Sequence, residues 1–272
     1  MEPENNNKKK RKIAFIISII IFIIVLLLSF VLVYRYTSLH NLIHIPFLDS
    51  RAQYSLPRDT TETTETGSSV PTGPNLPDNP IDFLEQTQIN NEIYAWIYIP
   101  NTTVDYPILQ SFEDDLYYLR RDVDRNYSLP GVLFTQSCNR RNFSDPVTVV
   151  YGHNMTDENI MFASLHYFEN KEFFDENEFF YVYTPGHILT YRIVSAYQYD
   201  ERHIMNQFNF HDEKVRREYF DYVMNPTSLV RNVREGVTLS TDDKLLILST
   251  CMETNASRYL VNGVLIKDEN TK

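Results

Sequence analysis

The sequence predicts a β-rich globular domain, an antiparallel barrel or sandwich interrupted by helices, held behind a single membrane-spanning helix. Three observations carry that expectation. Short runs rich in Val, Ile and Tyr recur through the C-terminal part of the chain, a 21-residue apolar stretch without a charge lies near the start, and a polar Thr/Ser/Pro-rich tract separates the two.

The apolar stretch comes first. Residues 13–33 read IAFIISIIIFIIVLLLSFVLV, which at about 1.5 Å per helical residue spans roughly 30 Å of hydrocarbon. KKKRK (8–12) flanks it on the N-terminal side, so the positive-inside rule leaves that end in the cytoplasm and sends the rest outside. A cleaved signal peptide has a shorter apolar region ending in small residues, whereas YRYTSLH follows here. The expected organisation is a basic cytoplasmic tail at 1–12, a transmembrane helix at 13–34, an extracellular linker at 35–80 and a globular domain at 81–269. Within the linker, RDTTETTETGSSVPTGPNLPDNP (58–80) buries too little to offset chain entropy and reads as an extended tether.

Charge and cysteine content exclude several classes. The first twelve residues carry a net +3, so the chain's overall −11 leaves −14 on the remainder. An acidic ectodomain argues against nucleic acid as a partner, which needs a basic footprint. Two cysteines, Cys138 and Cys251, are too few for a disulfide framework in an extracellular domain of this size. Pairing them with each other would silence a nucleophile.

From Ile81 onward the pattern is globular. Pro80 and Asp82 signal a helix entry, and apolar residues at 81, 83 and 84 predict a short helix in IDFLEQTQIN (81–90). EIYAWIYIP (92–100) reads as a strand. Further strands are predicted at 131–136 (GVLFTQ), 146–152 (PVTVVYG), 179–184 (FFYVYT), 188–198 (ILTYRIVSAYQ), 244–250 (KLLILST) and 258–267 (RYLVNGVLIK). Helical patterns interrupt them at 159–168 (NIMFASLHYF) and 212–224 (DEKVRREYFDYVM), the second with Val215, Tyr219, Tyr222 and Val223 on one face and Pro226 beyond its end. No internal repeat is present.

The chemistry is narrowed by elimination. Neither GxxxxGK[ST] nor GxGxxG occurs, HExxH and CxxC are absent, and no cofactor or metal is expected. Nucleophilic catalysis remains. Cys251 follows an apolar strand in LLILSTC, Arg258 lies seven residues on, and His153 ends the strand in VVYGHNM after Gly152, which would let the backbone turn. A thiolate needs a base or a positive neighbour, and an acyl-transfer oxyanion needs donors; His153 and Arg258 are the residue types that supply both. Composition alone leaves other readings open: a small buried hydrophobe for Cys251, a packed or surface ring for His153, a solvated edge charge for Arg258.

A family resemblance decides among them. From about Asn90 to Lys267 the sequence resembles the class B sortases, membrane-anchored cysteine transpeptidases of Gram-positive bacteria. It does so through WIYIPNTTVDYPILQ (96–110), DDLYYL (114–119), GVLF (131–134), VVYGHNM (149–155), MFASL (161–165), ILSTC (247–251) and RYLVNG (258–263), in that order. The resemblance implies an eight-stranded β-barrel with N-terminal helices and a helix inserted between two late strands, where 212–224 falls. It implies Cys251 as nucleophile, His153 as general acid/base and Arg258 as the cation on the substrate carbonyl or its oxyanion. Ser249, Thr250, Tyr151 and Asp115 match positions around the substrate, although Asp115 stands where the family often has asparagine and Ile247 where threonine is commoner. The implied partners are secreted proteins with a C-terminal sorting motif, a peptidoglycan or pilin amine, and the lipid bilayer. A cysteine hydrolase of papain type would also need an Asn or Asp orienting the imidazole, for which no signature is visible, and a tethered adhesin would leave Cys251 without chemistry.

Overall fold

The computed structural model describes residues 76–250 and 257–272 together with the backbone of Cys251. Helix α1 (Phe83–Ile89) opens this part, its first turn capped by the Asp82 carboxylate accepting from the Glu85 amide at 3.0 Å, an interaction that contributes about 1 kcal/mol to a helix start. Eleven strands follow: β1 (Ile93–Tyr98), β2 (Asp105–Leu109), β3 (Leu133–Phe134), β4 (Val147–Tyr151), β5 (Asn154–Met155), β6 (Ile160–Met161), β7 (Phe179–Thr184), β8 (His187–Tyr199), β9 (Arg231–Val233), β10 (Leu245–Cys251) and β11 (Arg258–Asn270). Three helices lie between them: α2 (Lys171–Glu176), α3 (Ile204–Gln207) and α4 (Glu213–Met224).

Eight strands close on themselves. Hydrogen bonding runs β11-β10-β4-β3-β2-β1-β7-β8, and β8 pairs back onto β11 along their whole length, which completes the barrel. Strand β9 attaches to the far half of β8, at Ser195 to Tyr197, where β7 no longer covers that edge. The closure leaves no long free edge to aggregate. It is mixed, not purely antiparallel as the strand-rich pattern suggested: β2 with β3 and β4 with β10 run parallel. Such crossovers need intervening chain, and the segments 110–132 and 152–244 supply it.

The predicted helix at 212–224 is α4, in the insertion between β8 and β9. Asp212 caps it, accepting from the Lys214 and Val215 amides. Its Tyr219, Phe220 and Val223 pack with Phe210 and Ile204 over Val147, Val149, Ile247, Leu260, Tyr197 and Tyr199 of four neighbouring strands. The predicted helix at 159–168 is different: β6 takes its first residues, and a 3-10 helix spans Ala163–Glu169. Asn159 (φ 52°) and Met161 (φ 55°) adopt left-handed backbone, which interrupts an α-helix, while Leu165 and Phe168 still reach the core. GVLFTQ shortens to the two residues of β3. The chain before the predicted domain start is tied down as well, since the Lys272 amide donates to the Pro77 carbonyl at 3.1 Å and Asn79 Nδ2 to the Thr184 carbonyl at 2.9 Å. Among the described residues no helix is long and apolar enough to cross a membrane, and the predicted span at 13–34 lies outside them.

Candidate functional site

The site forms where the cover of α4 ends. Strands β4, β10, β11 and β8 run side by side, and register sets the order: Tyr151 opposite Ser249, Ser249 opposite Leu260, Leu260 opposite Tyr197. Two residues further along, the backbone of Cys251 lies opposite Arg258, and Arg258 opposite Tyr199. His153 follows β4 by two residues, just after the Gly152 amide donates to the Ser249 carbonyl at 3.1 Å. Tyr151 and Ser249, 98 residues apart in sequence, and His153 and Arg258, 105 apart, are thus gathered at one end of adjacent strands.

There they border a cavity of about 260 Å³. Tyr151, His153, Ser249, Thr250 and Arg258 all line it, with Leu116 and Leu119 on one side and Glu201, Arg202, His203 and Ile204 on the other. Asp115 is not among the lining residues; its carboxylate accepts from the Ser137 amide at 2.6 Å, turned toward the loop after β3. Among the described residues, the hydroxyls of Tyr151 and Thr250 are buried without a hydrogen-bond partner. Buried polar atoms are rarely left unpaired, so two hydroxyls on the wall of a cavity are groups ready for a ligand.

His153 is held as a neutral ring. Burial lowers its pKa from the ordinary imidazole value, and the positive charges of Arg120 and Arg258 push in the same direction, against a hydrogen bond at 2.8 Å between Nε2 and the Leu119 carbonyl. Burial likewise pushes the Tyr151 phenol well above its usual range, so it stays a neutral donor. Cys138 lies near enough to Tyr151 to act on its phenol but does not line this cavity. It lines a separate cavity of about 320 Å³ with Asn139, Asp145, Met205 and Phe208, and partial burial together with the carboxylates of Asp115 and Asp145 pushes its thiol upward. That is the opposite of what activates a thiol.

Gly152 has a different role from the one its position suggests. Its φ lies outside the left-handed region, and what the site requires is the missing Cβ: one placed there would stand 2.4 Å from Leu133 Cδ2 and 2.6 Å from Phe162 Cδ2. We expect Gly152→Ala to destabilise the domain by about 1–3 kcal/mol through overpacking and to displace His153, read as a lower melting temperature; an unchanged melt contradicts the close packing.

Comparison with known proteins fits this architecture. The family model described as Sortase domain matches residues 97–266. The chain belongs to the sortase family. Sortase B of Listeria monocytogenes is 28% identical to this sortase over 188 residues, which are 66% of this chain and 72% of that one. Sortase B of Clostridium perfringens superposes with a TM-score of 0.62 at 29% identity, covering 68% of this chain and all of the other. A Streptococcus pyogenes class B sortase involved in pilus biogenesis superposes with a TM-score of 0.59 at 29% identity, covering 68% and 98%. This sortase is of class B, and a cysteine transpeptidase.

The cavity wall at Glu201–Ile204 and the carbonyl of Leu119 were not singled out in the sequence. YDERHI (199–204) carries a signal only as a polar break between a strand and a helical pattern, and a main-chain acceptor leaves no signature in side-chain types.

Proposed function

We propose that this sortase cleaves the C-terminal sorting signal of secreted proteins through a thioacyl intermediate on Cys251 and passes the acyl group to a peptidoglycan amine. One observation carries the assignment of residues: His153, Arg258 and Thr250 line one cavity beside the strand position of Cys251.

In the first half-reaction the Cys251 sulfur attacks the scissile carbonyl, its proton passing to His153. The carbonyl becomes a tetrahedral oxyanion facing the Arg258 guanidinium. Collapse breaks the C–N bond, and His153 delivers the proton to the leaving amine. In the second half an incoming amine attacks the thioester, loses a proton to His153, and expels the sulfur, which recovers that proton. The Tyr151 and Thr250 hydroxyls supply hydrogen bonds to the bound peptide. The domain works outside the cell, tethered by the 13–34 helix close to where secreted chains and lipid-linked wall precursors emerge, so that tethering raises their effective concentration. The pilus-associated relative favours a second reading, in which the acceptor is a lysine of a pilin subunit.

The experiment is a library of sorting-signal peptides incubated with several candidate amines, with the products identified by mass. Amine-dependent ligation at one motif is expected; hydrolysis unaffected by any amine overturns transfer, and preference for a lysine side chain over a wall-type amine selects the second reading.

The neutral state of His153 sets the pH dependence. Because its pKa is lowered, the ring stays unprotonated to more acidic pH than an ordinary histidine, and the active form is lost only as pH falls through that lowered value. We expect the acid limb of the kcat/KM profile below pH 6.5, the unperturbed imidazole value. An acid limb above 6.5 contradicts it.

A further inference from the structure

The 3-10 helix Tyr117–Arg120 reaches the site with its main chain, and it is fixed by an unusually well-buried polar cluster. Glu92 is 3% exposed and Tyr118 is 1% exposed. Glu92 Oε1 accepts from the Phe112 amide at 2.6 Å, and Oε2 accepts from the Tyr118 hydroxyl and from Arg125 Nη2 at 3.4 Å. Asn90 Nδ2 donates to the Tyr118 hydroxyl at 2.8 Å and to the Val123 carbonyl at 2.7 Å, while its Oδ1 accepts from the Glu92 amide at 2.9 Å. Burial would raise the Glu92 carboxyl, yet Tyr118, the Phe112 amide and Arg125 together bring it below its usual range, so it stays an anion. Burial and that anion push the Tyr118 hydroxyl up to about 12, so it stays a donor.

From this anchor the chain continues directly into the two carbonyls that matter. The Tyr118 carbonyl accepts from the Val132 amide at 3.2 Å, and Gly131, at φ +57°, lets the backbone come so close that a Cβ there would lie 2.5 and 2.6 Å from the carbonyl oxygens of Tyr118 and Leu119. The Leu119 carbonyl then stands 2.8 Å from His153 Nε2. A carbonyl oxygen only accepts. A neutral ring in this contact must carry its proton on Nε2, since an Nε2 lone pair facing the carbonyl lone pairs would repel. The remaining lone pair is on Nδ1.

The geometry points to Glu92 and Tyr118 as positioning residues that act through the Leu119 carbonyl to hold His153 as the Nε2–H tautomer, leaving Nδ1 as the nitrogen that exchanges protons with Cys251 and the substrate amines. The proton-exchange half rests on the acid/base reading of His153; the tautomer and its anchor do not. In the reaction Nδ1 takes the thiol proton and later gives it to the leaving amine, while the other proton stays on Nε2, donated to the Leu119 carbonyl throughout.

The test is a long-range ¹H–¹⁵N correlation spectrum of the full-length chain with ¹⁵N-labelled histidine rings, the His153 signals identified by their loss in His153→Gln. At neutral pH a pyrrole-type Nε2 and a pyridine-type Nδ1 are expected. Tyr118→Phe keeps the ring but releases the anchor, and is expected to add a second tautomer population and lower kcat about tenfold with KM little changed, as for a misplaced catalytic group. A pyrrole-type Nδ1 in the wild-type protein overturns the assignment. A Tyr118→Phe spectrum and kcat both unchanged overturn the positioning role. An Nε2–H ring together with full turnover in His153→Gln overturns the acid/base reading while the tautomer assignment stands, so the two failures are distinguishable.

Discussion

Cys251→Ala folds as the parent does and transfers no acyl group, with turnover on a sorting peptide reduced by at least about 10⁴-fold. In the proposed mechanism the side chain removed is the one that forms the thioester, and alanine offers no group to replace it. Cys138, the other thiol of the chain, lines a different cavity beside Asp145, with two carboxylates opposing its ionisation. The ladder that ends β10 pairs Cys251 with Arg258 through backbone atoms, which the substitution keeps. Amine-dependent ligation and a thermal melt check both halves. Ligation at the parent rate rules out Cys251 as the nucleophile.

Arg258→Lys keeps the positive charge and loses about 10²-fold in kcat, with KM nearly unchanged. Arg258 opens β11 opposite Cys251 and lines the same cavity as His153. A guanidinium presents several donors in a planar fork, which an oxyanion can meet in two places; an ammonium is a single point charge on a flexible stem. Because the charge on the carbonyl oxygen develops in the transition state, the loss belongs in kcat more than in KM. The substitution also tests the electrostatics of the imidazole, since the Arg258 charge is one of the two that lower the His153 pKa. Retaining a positive charge there leaves the acid limb of the pH profile nearly in place even as turnover falls. Steady-state kinetics across pH separate these effects, and an unchanged kcat reduces Arg258 to a structural residue.

The strands were legible where a local signal is strong. KLLILST and FFYVYT are largely apolar, β-branched or aromatic runs; the second is β7 residue for residue and the first is β10 moved on by one residue. The short helix at Phe83–Ile89 and the α4 insertion were announced by Asp82 and Asp212 at their caps and by Pro226 beyond the second. Other elements carry no such mark. Strand β2 contains Pro107, which cannot donate to a ladder, yet Pro107 lies opposite Trp96 in the pairing with β1. Strand β9 is three largely polar residues that exist only because β8 outruns β7. Parallel pairing of β4 with β10 joins segments about a hundred residues apart, and no local pattern encodes such a register.

The site followed the same division. Cys251, His153 and Arg258 could not be chosen from spacing, because each residue type in isolation packs or solvates as readily as it reacts; the motifs YGHNM and LSTC chose them through family resemblance. Barrel closure then explains why those motifs belong together. Ser249, Thr250 and Tyr151 line the cavity with His153 and Arg258, whereas the Asp115 carboxylate accepts from the Ser137 amide. The Glu201–Ile204 wall and the Leu119 carbonyl emerge only in three dimensions, one from a loop folded over the strand ends and the other from main chain.

The most direct test of the account is a mass measurement. The full-length chain is incubated with a cleavable sorting-signal peptide in the absence of amine, digested, and both cysteine-containing peptides are weighed. An acyl adduct on the Cys251 peptide that disappears when an amine is added, with none on the Cys138 peptide, is the predicted result. An adduct confined to Cys138, or peptide turnover with neither cysteine modified at any time, would contradict it.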